Sequence, residues 1–234
     1  MNIRIRRVIK AAAISAAALS ITIAAQADKA GDLKRGAAIA ERGTPAGAVA
    51  CVRCHGFDGN ADGSGAFPVI AGQSEFYLSK QLRNYGSGAR RNPIMTSIAA
   101  KLSQDDITAV SAYYESLTPR VVDGSQQDPA LIQRGTDIVT VGDLKERVEA
   151  CQSCHGPHGL GEAPDVPRLA GQYGHYLSSQ LQMWRRGYRK NDPGSQMKGP
   201  AHNLGERDID AVAAYFAQQA PVATTNIGGR NGRE

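Results

Sequence analysis

Large aromatic side chains are scarce in this chain: Phe, Trp and Tyr make up 6% of its 234 residues, and tryptophan occurs once. Something other than large rings must therefore fill the core of each folded unit. No run of 18 apolar residues occurs after residue 27, which excludes a multi-span membrane protein. Sustained alternation of polar and apolar residues is also missing, so strands are not expected and the fold class is predicted to be all-α.

The first 27 residues differ in character from the rest of the chain. They carry four basic side chains, then an apolar run over residues 11–25, then the small-residue sequence Ala25-Gln26-Ala27. This order predicts a secretory signal peptide over residues 1–27 and a periplasmic location for the mature chain. A membrane anchor that is not cleaved is the alternative, and the pair Arg6-Arg7 could belong to a twin-arginine export signal.

The basic character of the chain comes from this first segment. The whole sequence has a formal charge of +5, from 27 basic and 22 acidic side chains. Without the four basic residues of segment 1–27 the count is 23 against 22, a net charge of +1. Proteins that bind nucleic acid keep a basic surplus, so nucleic acid is not expected as a partner.

The chain contains the same pattern twice. Two copies of about 100 residues are too long for a solenoid repeat and predict two tandem domains. The matching segments lie at offsets of 99 to 102 residues: 51–56 with 151–156, 68–73 with 167–172, 77–82 with 176–181, and 106–113 with 208–215.

Helical periodicity occurs within each copy. Apolar residues recur at three- and four-residue intervals over 75–85 and over 106–117, and Ser103 with Asp106 predicts an N-terminal cap for the second of these helices. Gly86 is expected to end the first helix. The segment from Thr118-Pro119 to Asp128-Pro129 contains two prolines, Gly124 and several polar residues, which is typical of a linker. We predict a first domain over 28–120, a linker over 121–130, a second domain over 131–220 and a flexible tail over 221–234.

Each copy contains one Cys-x-x-Cys-His sequence, at 51–55 and at 151–155, and the two together use all four cysteines. Structural zinc normally needs two cysteine pairs in one small module, and a thioredoxin-like dithiol needs a βαβ context. Covalent haem c needs two thiols and an adjacent histidine at this spacing, and on a helical turn the first cysteine and the histidine share a face. We predict two covalently bound haem c groups, with thioethers at Cys51, Cys54, Cys151 and Cys154 and axial iron ligands at His55 and His155.

The sixth iron ligand decides between electron transfer and chemistry on a bound molecule. Met95 and Met197 lie 40 and 42 residues after the two histidines, each behind a turn-rich stretch. Their matched placement predicts that they are the second axial ligands. Met183 has no counterpart in the first copy and lies in a predicted helix, so core packing is the better interpretation for it.

The sequence resembles a known family. The two Cys-x-x-Cys-His-Gly sites, the paired Pro-x-x-Ala-Gly-Gln segments and the two late methionines are similar to those of cytochrome c4, the two-haem class I cytochromes c. The resemblance covers about residues 30–218. It implies two tandem class I cytochrome c domains, each wrapped around one covalent haem, which face each other across a pseudo-two-fold axis with the haem propionates near their interface.

The same resemblance implies roles for residues outside these motifs. The carbonyls of Pro68 and Pro167 would accept hydrogen bonds from the rings of the two histidines and fix their orientation. The first and last helices of each domain would cross at a small residue, Gly36 with Tyr113 and Gly135 with Tyr215.

Basic residues cluster near both methionines, at Arg90, Arg91, Arg185, Arg186, Arg189 and Lys190. They are either solvated helix ends, where cations suit the helix dipole, or groups that neutralise propionates or dock a partner. The remaining histidines His158, His175 and His202 are expected to be exposed, with His202 as the alternative sixth ligand.

Two irons that are each closed by histidine and methionine predict an electron carrier and not an enzyme. The resemblance implies that it delivers electrons to a terminal oxidase or reductase. The expected partners are redox proteins: a membrane-bound oxidase or reductase, and a quinol-cytochrome c reductase or a dehydrogenase as donor, with no small-molecule substrate. The alternatives are the electron-accepting subunit of an enzyme complex, such as a flavocytochrome sulfide dehydrogenase, and a dihaem peroxidase.

Overall fold

The computed structural model describes residues 29–120 and 128–221. The predicted signal peptide, most of the predicted linker and all but the first residue of the predicted tail lie outside the described residues. Within the described ranges the chain forms helices joined by long loops: α1 (29–42), α2 (Val52–His55), α3 (Glu75–Gly86), α4 (Met95–Ala99), α5 (Gln104–Glu115), α6 (Pro129–Thr140), α7 (Gln152–His155), α8 (Gly174–Arg185), α9 (Lys198–Asn203) and α10 (Glu206–Ala217).

Local sequence explains where the longer helices begin. Ser103 caps α5, because its side chain accepts a hydrogen bond from the Asp106 amide while the Asp106 carboxylate accepts from the Ser103 amide. Asp128 caps α6, with Pro129 at the first helical position. The predicted cap is confirmed, although α5 begins and ends two residues earlier than the periodicity suggested. Gly86 is the last residue of α3, and Ser87 is its C-cap.

The two domains repeat the same packing. In each, the first and last helices cross where a glycine lets their backbones touch. A Cβ on Gly36 would collide with the backbone carbonyl of Ala109 and lie 2.7 Å from the Cβ of Tyr113. A Cβ on Gly135 would collide with the carbonyl of Ala211. The crossings implied by the resemblance are therefore present in both copies.

Each domain has its own hydrophobic core beside its Cys-x-x-Cys-His turn. In the first domain Cys51 packs against a cluster that includes Ile39, Val110 and Tyr114. In the second, Cys151 and Met197 pack against a larger cluster that includes Phe216. The core of each domain therefore extends to the residues predicted to hold the cofactor.

The all-α prediction is confirmed. Across 29–120 and 128–221 there is no strand, and the only β-type pairs are two isolated bridges in the second domain, Asp143 with Val148 and Glu162 with Val166. None of the helices in these ranges is both long enough and apolar enough to cross a membrane.

Candidate haem sites and the interface between them

The two Cys-x-x-Cys-His sequences form nearly identical helical turns. The first cysteine is the N-cap of α2 or α7, and its carbonyl accepts a hydrogen bond from the histidine amide at 3.0 Å in both domains. A glycine with positive φ follows each histidine, at 74° for Gly56 and 72° for Gly156, and ends the turn. All four thiols are free of disulfides. Each turn therefore presents two thiols and an imidazole from one short segment.

Each histidine ring is held in one orientation by a proline carbonyl. The Nδ1 atom of His55 lies 3.0 Å from the Pro68 oxygen, and that of His155 lies 3.0 Å from the Pro167 oxygen. No described residue hydrogen-bonds to Nε2 of either ring. Burial lowers the pKa of both histidines, and the hydrogen bond to the proline carbonyl opposes this effect only in part. Both rings are therefore neutral at neutral pH, with Nε2 available to a metal.

The two late methionines occupy matching positions at the start of short helices. Met95 begins α4, and its amide donates to the Asn92 side chain at 2.9 Å. Met197 is the N-cap of α9, and its amide donates to the Asp192 side chain at 2.8 Å. Both side chains are half-buried. A side-chain oxygen from the preceding turn thus fixes the backbone of each methionine.

The other candidate ligands lie elsewhere. Met183 is within α8, as predicted, but it is half-buried and outside the hydrophobic cluster, with its sulfur 4.0 Å from the amide nitrogen of Gln180. Contrary to the expectation of core packing, Met183 is not part of the hydrophobic cluster of the second domain, and its sulfur lies beside the side-chain amide of Gln180 in the same helix. His158, His175 and His202 are exposed, as expected.

These residues fit haem c better than the other cysteine chemistries. In the described part of the chain, no three His, Cys, Asp or Glu side chains come together as they would around zinc. The helical surroundings also lack the βαβ unit of a thioredoxin-like dithiol. Free thiols on the same turn as an oriented, neutral imidazole are the donor set that covalent haem requires.

The domains meet through a reciprocal exchange of glutamine side chains. Gln172 accepts a hydrogen bond from the Val69 amide at 2.9 Å and donates to the Val69 carbonyl at 2.8 Å. Gln73, the equivalent residue of the first domain, makes the same two bonds to Arg168, both at 3.0 Å. Equivalent residues thus exchange equivalent contacts, which is the arrangement of a pseudo-two-fold axis between the domains.

Two arginines of the basic clusters are buried at this interface. Arg90 and Arg189 are 3% and 4% exposed, whereas Arg91, Arg186 and Lys190 are exposed. Arg90 donates across the interface to the Tyr176 hydroxyl at 3.0 Å and to Gln180 at 2.6 Å. The clusters are therefore not uniform helix ends, and each contains one internal guanidinium.

The contacts of Arg189 mirror those of Arg90. Arg189 donates to Gln180 at 2.9 Å and, across the interface, to Tyr77 and Gln81 at 3.4 Å. Its guanidinium lies 3.7 Å from the centre of the Trp184 ring, just as that of Arg90 lies 4.7 Å from the centre of the Tyr85 ring.

Neither buried arginine has a carboxylate partner among the described residues. Burial raises the pKa of Tyr77, but the cations Arg189 and Arg90 outweigh it and lower the pKa below its ordinary value. Two buried cations whose side-chain hydrogen bonds reach only hydroxyl and amide groups are costly without an anion. The carboxylates of haem propionates fit this need, and Arg90 and Arg189 are the residues that would hold them.

Arg168 is a third buried arginine, for which the sequence predicted no role. It follows Pro167 directly and donates to the Ala170 carbonyl at 2.8 Å and, across the interface, to the Ala71 carbonyl at 2.6 Å. Its Nε has no partner among the described residues, and burial lowers its pKa to about 10. The equivalent residue of the first domain is Val69, so the repeat gave no signal for it.

The sequence profile of the family described as Cytochrome c matches residues 33–118 and 145–220. The chain belongs to the cytochrome c family, in its form with two haem domains. It is 39% identical over 170 residues to the thiosulfate dehydrogenase electron acceptor of Stutzerimonas stutzeri strain A1501. The aligned region covers 73% of this chain and 79% of that protein.

Solved structures show the same relationship. Reduced cytochrome c4 from Pseudomonas stutzeri is 35% identical, with a TM-score of 0.68, over 73% of this chain and 93% of that one. A thiosulfate dehydrogenase from Marichromatium purpuratum is 37% identical, with a TM-score of 0.73, over 82% of this chain. The match spans only 41% of that longer chain. The resemblance to cytochrome c4 is confirmed, and with it the presence of two covalent haem c groups.

Proposed function

We propose that this dihaem cytochrome c accepts electrons from a thiosulfate-oxidising enzyme in the periplasm and passes them to a terminal oxidase or reductase. The main support is the 39% identity to a thiosulfate dehydrogenase electron acceptor over 79% of that protein's length. The similar region of the longer thiosulfate dehydrogenase chain points to the same donor. Donation by this dehydrogenase is favoured over the flavocytochrome sulfide dehydrogenase alternative, and no observation favours a peroxidase.

The proposed iron ligands are His55 with Met95 in the first domain and His155 with Met197 in the second. Each haem supplies an iron that cycles between the ferrous and ferric states. The proline carbonyls hold the ring of each histidine in one orientation, and the methionine sulfur would occupy the coordination site that a substrate would otherwise need. The chain therefore transfers electrons without transforming a molecule.

The ligands can be tested in the oxidised absorption spectrum, which contains a sulfur-to-iron charge-transfer band. Met95→Leu and Met197→Leu should each remove about half of the band, since each removes one of two equivalent sulfur ligands. Met183→Leu is the matched control and should leave the band intact. A full band in either ligand variant would show that the sixth ligand is another residue.

The donor can be tested by rapid mixing of the oxidised holoprotein with a thiosulfate dehydrogenase and thiosulfate. We expect both haems to be reduced only when enzyme and thiosulfate are both present. Reduction by thiosulfate alone would mean that this protein is itself the enzyme. Reduction by a flavoprotein with sulfide, but not by the thiosulfate system, would favour the alternative donor.

A further inference from the structure

The peptide group between Pro68 and Val69 connects the histidine of one domain to a side chain of the other. Its carbonyl oxygen accepts from His55 Nδ1 at 3.0 Å. Its N–H, which belongs to Val69, donates to Oε1 of Gln172 at 2.9 Å. One planar unit therefore carries a hydrogen bond at each end, with the two domains on opposite sides of it.

The second domain contains the same chain of bonds in the opposite direction. The carbonyl of Pro167 accepts from His155 Nδ1 at 3.0 Å, and the N–H of the same peptide, that of Arg168, donates to Oε1 of Gln73 at 3.0 Å. Gln73 of the first domain thus accepts from the peptide that holds His155, and Gln172 of the second domain accepts from the peptide that holds His55.

Both glutamines are positioned to act in this way. Gln73 and Gln172 are buried, and their Nε2 atoms donate back to the carbonyls of Arg168 and Val69. Each Oε1 also accepts a hydrogen bond from the backbone N–H of the following residue, at 3.3 Å from Ser74 in the first domain and 3.1 Å from Tyr173 in the second. These additional bonds fix the orientation of each side-chain amide.

Hydrogen bonds in such a chain polarise one another. Donation from the peptide N–H shifts electron density towards the carbonyl oxygen, which becomes a stronger acceptor for the histidine Nδ1–H. A stronger bond at Nδ1 makes the imidazole a more basic ligand, and a more basic ligand favours ferric over ferrous iron.

We propose that each domain tunes the iron-ligating histidine of the other: Gln172 lowers the reduction potential of the haem held by His55, and Gln73 lowers that of the haem held by His155. This inference rests on the proposed ligation by the two histidines. It makes the docking of the domains a determinant of both potentials, because the tuning residue of each haem lies outside its own domain.

The experiment uses the full holoprotein with Gln172→Met or Gln73→Met, which keep the side-chain length and remove the amide. The potential of each haem is followed during a redox titration through the shifted NMR signals of its own domain. Gln172→Met should raise the potential of the first-domain haem more than that of the second, and Gln73→Met should do the opposite. In the reduced protein the Nδ1 proton signal of His55 should move upfield in Gln172→Met.

Two other hydrogen bonds between the domains provide matched controls. Ser74 donates to the Pro164 carbonyl at 2.5 Å, and the Tyr173 hydroxyl donates to the Asn60 carbonyl at 2.8 Å. Neither bond involves a peptide that holds a histidine. Ser74→Ala and Tyr173→Phe should therefore leave the two potentials unchanged.

A crossed pattern is the result that supports the proposal. Equal shifts of both haems in each glutamine variant, as simple opening of the interface would produce, would overturn it, as would a shift confined to the mutated domain or no shift. The histidine proton signals distinguish this failure from failure of the proposed function, because they report the hydrogen bond whether or not thiosulfate dehydrogenase is the donor.

Discussion

Arg90 and Arg189 are two buried cations at the interface between the domains, where they would hold the haem propionates. Their side chains donate hydrogen bonds to tyrosine, glutamine and asparagine side chains, and an aromatic ring lies against each guanidinium plane. These neutral contacts position the charges without neutralising them. The positive potential that remains favours a propionate and also favours the ferrous iron, which carries one positive charge fewer than the ferric form.

Replacing Arg189 by glutamine should therefore lower the haem potentials, by an amount on the order of 50 mV, which corresponds to about 1 kcal/mol for one electron. Arg189→Lys keeps the charge and should lower them less. The exposed Arg186→Gln is the control and should have no effect. Spectroelectrochemical titration of the three variants measures these shifts, and equal effects of Arg189→Gln and Arg186→Gln would show that burial of the charge is irrelevant.

At the residue scale the sequence predicted the motif residues and the basic clusters that contain Arg90 and Arg189, but not the contacts that Gln73, Gln172 and Arg168 make between the domains. Cysteine spacing and the repeat identified the histidines, and the resemblance supplied their proline partners. Gln73 and Gln172 also repeat in the sequence, but a repeat does not reveal that each copy bonds to the opposite domain. Arg168 matches a valine, so only the three-dimensional contact with the Ala71 carbonyl shows its role.

At the scale of secondary-structure elements, each domain is organised by the crossing of its first and last helices. A sequence predicts helices well where periodicity and a cap agree, as they do for α5 with Ser103. Which two helices touch depends on the close approach of backbones, for which a glycine is a weak signal by itself. The resemblance supplied that information for Gly36, and the structure gives its steric reason.

Gly36→Ala should destabilise the first domain by about 1–3 kcal/mol, because the new methyl group meets the rigid backbone carbonyl of Ala109. Gly31 lies in the same helix, and a Cβ there would meet no atom within 4 Å. Gly31→Ala should therefore stabilise the helix by up to about 1 kcal/mol. Hydrogen exchange of the α5 amides in the two holoproteins tests the difference, and similar protection in both would contradict the close crossing.

At the scale of the whole molecule, one of the differences between the two copies lies where the copies meet. Arg168 donates to the carbonyls of Ala170 and Ala71, which occupy equivalent positions in the two domains. Its guanidinium therefore lies where the pseudo-two-fold axis passes between the copies. A second guanidinium from the other side would need the same two acceptors, which explains why the matching position holds the small, buried Val69.

Val69→Arg should for this reason destabilise the docked arrangement by roughly 3–5 kcal/mol, because it buries a second cation with no acceptor beside a like charge. Adding Arg168→Val to that variant exchanges the two side chains across the axis, so the double variant should recover most of the lost stability. Thermal unfolding measures the stability, and small-angle scattering reports whether the domains have separated. If Val69→Arg alone stays compact and stable, or if the exchange fails to rescue it, then a single shared guanidinium does not set the fit between the two haem domains.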